Sequence, residues 1–285
     1  MSVPVTLATR TWSGGRDRQV DPLALLIHGV TSSSRTWWRV APELVRRGFR
    51  VLAVDLRGHG ASPPVSEGVV LGDLSADVLE TLRASGLSGN DGPRPAAPPG
   101  TGAAIDLLVG HSLGALVALD LVAKEPGLAR RLVLEEPAGP TGVDWEAMAE
   151  GIRSDGRRAR AEPEAMRREL AVSDPAWDPA EVDRRLADMA DCDAKGIAAA
   201  FRRTIAFDLA GLASAVHIPT LLLAGLEHLG SALVGPDRVA LVEALDGRGD
   251  FEVLDDGHNL HREAFPRFMD VLDGWLRVSA SVREG

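Results

Sequence analysis

Tyrosine is absent from this 285-residue chain, cysteine occurs once, and lysine stands only at Lys124 and Lys195. The single cysteine, Cys192, excludes an internal disulfide and any cysteine-based metal cluster, and reads as a small packed side chain. Apolar runs are all far shorter than the ~20 residues that span a bilayer. The N-terminus has no charged segment leading into an apolar core, so no secretory signal is expected. Acidic residues outnumber basic ones, 41 to 31: the net charge is -10, which argues against nucleic acid or an anionic membrane as a partner, because each needs a basic face. The basic residues are nearly all arginine, a compositional bias rather than a binding surface. Neither a Gly-rich phosphate loop nor a His/Cys/Glu set at metal-ligand spacing is visible. The expectation is a cytoplasmic protein without cofactor or metal, acting on a small molecule, its oligomeric state open.

What is present is apolar material with a rhythm. At 45% hydrophobic residues the chain can bury one large core, or a core and a smaller cap. Short apolar runs at 3–7, 23–27, 51–54, 104–109, 132–134, 220–224 and 251–254 have strand length. Helix-period segments at 37–47, 71–84, 113–124, 236–245 and 262–276 lie between them. Continuous apolar strands alternating with helices predict an α/β fold, a mostly parallel sheet with helices on both faces. The rhythm breaks between 141 and 217, where charged amphipathic pieces punctuated by Pro163, Pro175 and Pro179 carry no convincing strand. That stretch predicts a helical cap inserted between two core strands, leaving 1–140 and 218–285 as the core. The Gly/Pro-rich stretch 88–102 predicts a loop at the N-terminal end of the following strand, away from the chemistry.

The most informative segment is Leu107-Leu108-Val109-Gly110-His111-Ser112-Leu113-Gly114-Ala115. An apolar run ends in a Gly-x-Ser-x-Gly turn and a small, apolar helical segment follows, the context of a strand–turn–helix nucleophile elbow. Such a turn strains the serine backbone and presents its hydroxyl above a helix start whose N–H groups can face a developing oxyanion. Three further segments stand in order around it: Ile27-His28-Gly29-Val30, Asp55-Leu56-Arg57-Gly58-His59-Gly60, and Asp256-Gly257-His258-Asn259-Leu260-His261-Arg262-Glu263. With these four motifs the chain resembles the capped α/β-hydrolases over almost its whole length.

The resemblance implies a serine nucleophile at Ser112, a general base at His258, and an oxyanion hole made by the backbone N–H groups of Val30 and Leu113. It gives His28, His59 and His111 structural roles. His261 is a weaker alternative for the base, and His217 and His228 read as loop residues. The orienting acid is where this chain departs from the commonest pattern. The expected aspartate position after the strand 220–224 holds His228, with Glu227 one residue early. Some branches of the family place the acid at the end of the strand after the elbow, where this chain has Glu135-Glu136. Adjacent strand residues face opposite ways, so only one of the two can reach His258. Counting from the strand start favours Glu136, with Glu135 and Glu227 as alternatives. Without a tyrosine or a carboxylate nucleophile, the epoxide hydrolase and haloalkane dehalogenase branches do not fit. What the resemblance implies is hydrolysis of a carboxylic ester, lactone or thioester through an acyl-serine. Lyase, C–C hydrolase or acyltransferase chemistry on the same triad, or non-catalytic binding of a small ligand, are the alternatives. Trp37 and Trp38 read as helix–sheet packing, and the Arg/Asp/Glu alternation of the cap reads as a solvated surface. Trp145, Met148, Ile152, Trp177, Met189, Ile197, Phe201, Ile205 and Phe207 are candidates to face a pocket or to pack the cap on itself.

Overall fold

Seven strands form one sheet in the order β1-β3-β2-β4-β5-β6-β7 in a computed structural model that describes residues 2–14, 22–66, 68–86, 104–175, 177–205 and 208–281. They are β1 (Thr9–Trp12), β2 (Leu23–Ile27), β3 (Arg50–Val54), β4 (Leu107–His111), β5 (Leu132–Glu135), β6 (Thr220–Ala224) and β7 (Gly249–Val253). All neighbours pair parallel except β1, which runs antiparallel to β3 at one edge. Strands β2, β4 and β6 are buried along their whole length, which is why they read as unbroken apolar runs.

Successive side chains of these strands feed two separate cores, because alternate residues leave opposite faces of a sheet. Leu25 and Ile27 of β2 pack in one core with Leu74 and Val78 of α2 (Leu71–Ala84; α1 is Val40–Arg46) and with Leu116 and Leu119 of α3 (Leu113–Lys124). Ala24 and Leu26 pack in the other, with Trp37, Val40 and Leu44, and with Phe268 and Leu272 of the last helix. Between β5 and β6 the described residues form five helices: α4 (Trp145–Ala161), α5 (Pro163–Ser173), α6 (Pro179–Asp191), α7 (Ala194–Ile205) and α8 (Leu209–Ser214). The core resumes with α9 (Gly235–Leu245), α10 (Leu260–Glu263) and α11 (Phe265–Ser281). No helix among the described residues is long and apolar enough to cross a membrane.

Three expectations are corrected. Residues 3–7 form no strand: the N–H of Ser2 donates to Asp73, that of Val5 to Asp77 and that of Leu7 to the Thr81 hydroxyl, so this segment lies along α2. The sheet's first strand is instead the largely exposed β1. The fourth strand begins at Leu107 rather than 104 and runs on to His111. The single helix expected over 262–276 is two, α10 and α11, with the break at Ala264 just before Pro266. The loop expected at 88–102 and the Phe207 candidate lie outside the described residues, as does the side chain of Ile205.

Candidate active site

Ser112 sits between β4 and α3 with φ +53° and ψ -119°, a region that L-residues occupy only under strain. The surrounding chain enforces it. The Ser112 N–H donates to the Glu135 carbonyl at 2.9 Å, and its carbonyl accepts from Ala115 N–H at 2.9 Å. Both glycines of the motif are needed for close approach rather than for unusual torsions. A Cβ at Gly114 would lie 2.2 Å from the Ile27 carbonyl oxygen, and one at Gly110 would lie 2.4 Å from the Gly114 oxygen. The elbow is therefore wedged directly against β2, the strand that leads into the Val30 loop. Leu113 opens α3, so its N–H has no acceptor within the helix.

The residue after Val30 is also strained: Thr31 has φ +52°. Its N–H donates to His59 Nε2 at 3.1 Å, and its carbonyl and hydroxyl oxygens accept from the Arg185 guanidinium, the latter at 3.0 Å. His59 Nδ1 faces the Arg57 carbonyl and must carry the proton, because a carbonyl can only accept. His28 is arranged alike, donating from Nδ1 to the Gly29 carbonyl at 2.7 Å and accepting Leu56 N–H on Nε2. Burial lowers the pKa of both, and the nearby His28 charge adds to it for His59, which falls to about 3. Both are thus neutral supports of the loop carrying Val30.

His111, beside the nucleophile, donates from Nε2 to the His258 carbonyl at 3.0 Å and so ties the elbow to the late loop. Its Nδ1 is buried without a partner. Burial, then the charges of His258, His261 and Arg262, hold its pKa well below the ordinary value.

Strand β5 ends by splitting its two carboxylates. Glu136 has φ +49°, a left-handed turn that aims its side chain away from that of Glu135. Wholly buried, Glu136 accepts four hydrogen bonds: Gly225 N–H at 2.6 Å, Ser231 hydroxyl at 2.7 Å, Ala232 N–H at 2.6 Å, and His258 Nδ1 at 3.1 Å. Burial pushes its carboxyl pKa up, but the His258 hydrogen bond and charge, with the Gly225 and Ser231 donors, outweigh it, so the group stays below the ordinary carboxylate range. Glu135, equally buried, accepts His261 N–H at 2.9 Å and His261 Nδ1 at 2.8 Å. Glu227 is exposed on a short 3-10 turn and accepts Gly235 N–H, so of the three acids weighed only Glu136 meets His258. His217 and His228 are both exposed. His261 is fully buried on α10, its Nε2 2.5 Å from the Thr36 hydroxyl. His111, Glu135 and His261 form a cluster that linear spacing does not reveal, its polar atoms within 4.8 Å of one another. Glu135 and His261 satisfy each other within it.

Ser112 and His258 line one cavity of about 760 Å³, with no direct hydrogen bond between them; such contacts commonly tighten only when substrate is bound. Val30, Thr31, Ser32, His111, Asn259 and Arg262 are among the core residues of its wall, and Met148, Ile152, Asp155, Arg185 and Phe201 come from the inserted helices. Trp37 is packed in the core against the His261 ring, and Trp38 donates to Glu181; neither lines the cavity. Of the other cap candidates, Met189 packs within the inserted helices, Ile197 joins the core around α3, and buried Trp177 lies under the Arg262 guanidinium.

One expectation about the inserted helices fails. Glu181, Arg185 and Asp188 are spaced to share a face of α6, and that face meets the 31–36 segment instead of solvent. Asp188, fully buried, accepts from Ser33 at 2.5 Å and pairs with Arg35 at 3.0 Å; Glu181 pairs with Arg262 at 2.9 Å. Charge alternation could not distinguish this contact from a solvated surface. The i, i+4, i+7 spacing was the available signal.

The model of the alpha/beta hydrolase family matches residues 24–271. The chain is similar to "Putative carbamate hydrolase RutD" of Variovorax paradoxus (strain S110), 29% identical over 274 residues that cover 90% of this chain and 92% of that protein. It is similar over a shorter stretch to the lipase LipV of Mycobacterium tuberculosis, 32% identical over 55% of this chain and 48% of LipV, so the match spans about half of that relative. Among solved structures, the enol-lactonase of Burkholderia xenovorans LB400 superposes with a TM-score of 0.71 at 20% identity, covering 95% of this chain and 96% of that one, a likeness of fold. With 24–271 matched and the seven-stranded sheet in place, the chain belongs to the alpha/beta hydrolase family.

Proposed function

We propose that this hydrolase cleaves a carboxylic ester or related acyl compound through an acyl-serine intermediate, with Ser112, His258 and Glu136 as its triad and helices of the segment 141–217 as a cap over it. The observation that carries the reading is the His258 Nδ1–Glu136 hydrogen bond at the wall of the cavity that also holds Ser112. Ionised Glu136 can only accept, so Nδ1 carries the proton and Nε2 is left as the base. Nε2 removes the Ser112 proton as Oγ attacks the acyl carbon, and the carbonyl oxygen becomes an oxyanion facing the Val30 and Leu113 N–H groups. Each such donor contributes about 3 kcal/mol to barrier lowering. The imidazolium then protonates the leaving alcohol as the C–O bond breaks. Water, deprotonated by the same imidazole, attacks the acyl-serine, and collapse returns the proton to Ser112 and releases the acid. Relatives named as a carbamate hydrolase, a lipase and an enol-lactonase support an acyl substrate.

Ser112→Ala is expected to abolish turnover of p-nitrophenyl butyrate while leaving the far-UV spectrum unchanged. Activity retained by that variant would end the serine mechanism. Product analysis separates hydrolysis, which releases free acid and alcohol, from transfer to an acceptor or C–C cleavage.

A further inference from the structure

Arg185 is the one cation that α6 brings to the cavity wall, and it stands there without an ion-pair partner. Its guanidinium donates to two neutral oxygens, the carbonyl and hydroxyl of Thr31. Among the described residues no carboxylate forms an ion pair with it. The nearby acids are engaged elsewhere: Asp188 with Arg35 and two serine hydroxyls, Glu181 with Arg262 and Trp38. Asp155, half-buried, shares the cavity with Arg185 without pairing with it, and Arg262 stands on the same wall with its charge answered by Glu181. Burial, then repulsion from Arg262, outweigh the attraction of Asp188 and Asp155 and lower the Arg185 pKa to about 10, so the group remains charged at neutral pH but poorly solvated. A guanidinium has five N–H donors in a planar fork, and the two Thr31 contacts leave part of that fork for another partner. Thr31 is the neighbour of Val30, so Arg185 is held by the residue next to the expected oxyanion donor.

Resting on the serine hydrolase reading above, we infer that the acyl substrate carries a carboxylate a few bonds from its scissile carbonyl, and that Arg185 binds that carboxylate. The overall negative charge of the chain does not oppose this, because a desolvated local cation dominates the field within its own cleft. Met148, Ile152 and Phe201, which line the same cavity, offer apolar surface for the leaving group.

The test compares monoethyl succinate with ethyl 4-oxopentanoate, which puts a methyl ketone where the first has its carboxylate. Calorimetric binding to Ser112→Ala, which holds either ester uncleaved, is expected to favour monoethyl succinate at least 10-fold. Adding Arg185→Gln should erase that preference, Arg185→Lys should retain part of it, and Asp155→Asn should enlarge it. Turnover by the otherwise unaltered chain should follow the same order in kcat/KM. A purely structural role at Thr31 would instead weaken both esters equally in Arg185→Gln. That result, equal binding of the two esters, a preference for the ketone, or no binding of either would overturn the inference. Loss of p-nitrophenyl butyrate turnover in Ser112→Ala would still support the serine mechanism in each case, so the two readings fail separately.

Discussion

The end of β5 and the late loop carry the same series of groups twice. Glu136, His258 and Ser112 form one carboxylate–imidazole–hydroxyl set; Glu135, His261 and Thr36 form the other, one residue and three residues away along the chain. In the second set every group is sealed. Thr36 is buried, and its oxygen accepts from Arg262 Nε at 2.9 Å and Nη2 at 2.7 Å while donating to His261. No lone pair or space is left for a substrate carbon. In the first set the imidazole keeps more than a quarter of its side chain exposed and the serine opens on a cavity. Residue types therefore do not distinguish the two sets. Access and spare hydrogen-bonding capacity do, and the sealed set serves by anchoring α10 and with it the loop that presents His258.

The largest expected effect separates the imidazoles. His258→Ala should lower kcat on p-nitrophenyl butyrate about 10⁴-fold or more with little change in melting temperature, whereas His261→Ala should act mainly on stability. Comparable activity losses at equal stability would erase the distinction between the two sets. The carboxylates sharpen it further. Glu136→Gln should cost about 10³–10⁴ in kcat by favouring the wrong imidazole tautomer. Glu135→Gln should cost about 3–5 kcal/mol in urea unfolding, as expected when one partner of a buried pair is removed, with the smaller effect on kcat. The reverse pattern would transfer the orienting role to Glu135.

A third prediction concerns the sealed histidines of the core. His28, His59 and His111 have folded pKa values below the unfolded value of 6.5. The unfolded chain therefore binds more protons below pH 6.5, and the stability these groups confer, present above 6.5, is lost as pH falls. Each contributes up to about 1.4 kcal/mol per pH unit. For His59 the window runs from 6.5 down to about 3. His59→Gln should flatten the slope of unfolding free energy against pH by about one proton in that range; an unchanged slope would show that His59 is already protonated in the fold. The smallest effect is expected at Glu227, which is exposed: Glu227→Gln should leave activity within about twofold and stability within about 0.5 kcal/mol.

Much of this was legible before any coordinates. The strands 23–27 and 220–224 and the helices 71–84 and 113–124 agree with the structure to the residue, because fully buried strands read as short unbroken apolar runs and the helices are either amphipathic, as in 71–84, or long apolar stretches, as in 113–124. Residues 3–7 mislead for a physical reason: the backbone donors of Val5 and Leu7 meet Asp77 and Thr81, about 70 positions away, and only the fold brings these near. The turn at Ser112 and the pairing of His258 with Glu136 could be picked out from motif context and strand counting. The groups that hold Glu136, the Gly225 and Ala232 N–H and the Ser231 hydroxyl, could not, since backbone donors have no sequence signature. Arg185 was lost among the charges of the inserted helices, because its significance depends on which face of α6 is covered.

The central claim is that Ser112 is the group acylated during turnover. Its most direct measurement is mass spectrometry of the protein after reaction with a fluorophosphonate and after rapid quenching with p-nitrophenyl butyrate. One adduct per chain is expected in both cases, mapped to the peptide containing Ser112, absent in Ser112→Ala and strongly slowed in His258→Ala. A chain that turns over the ester with no adduct, or with the adduct on another residue, would contradict it.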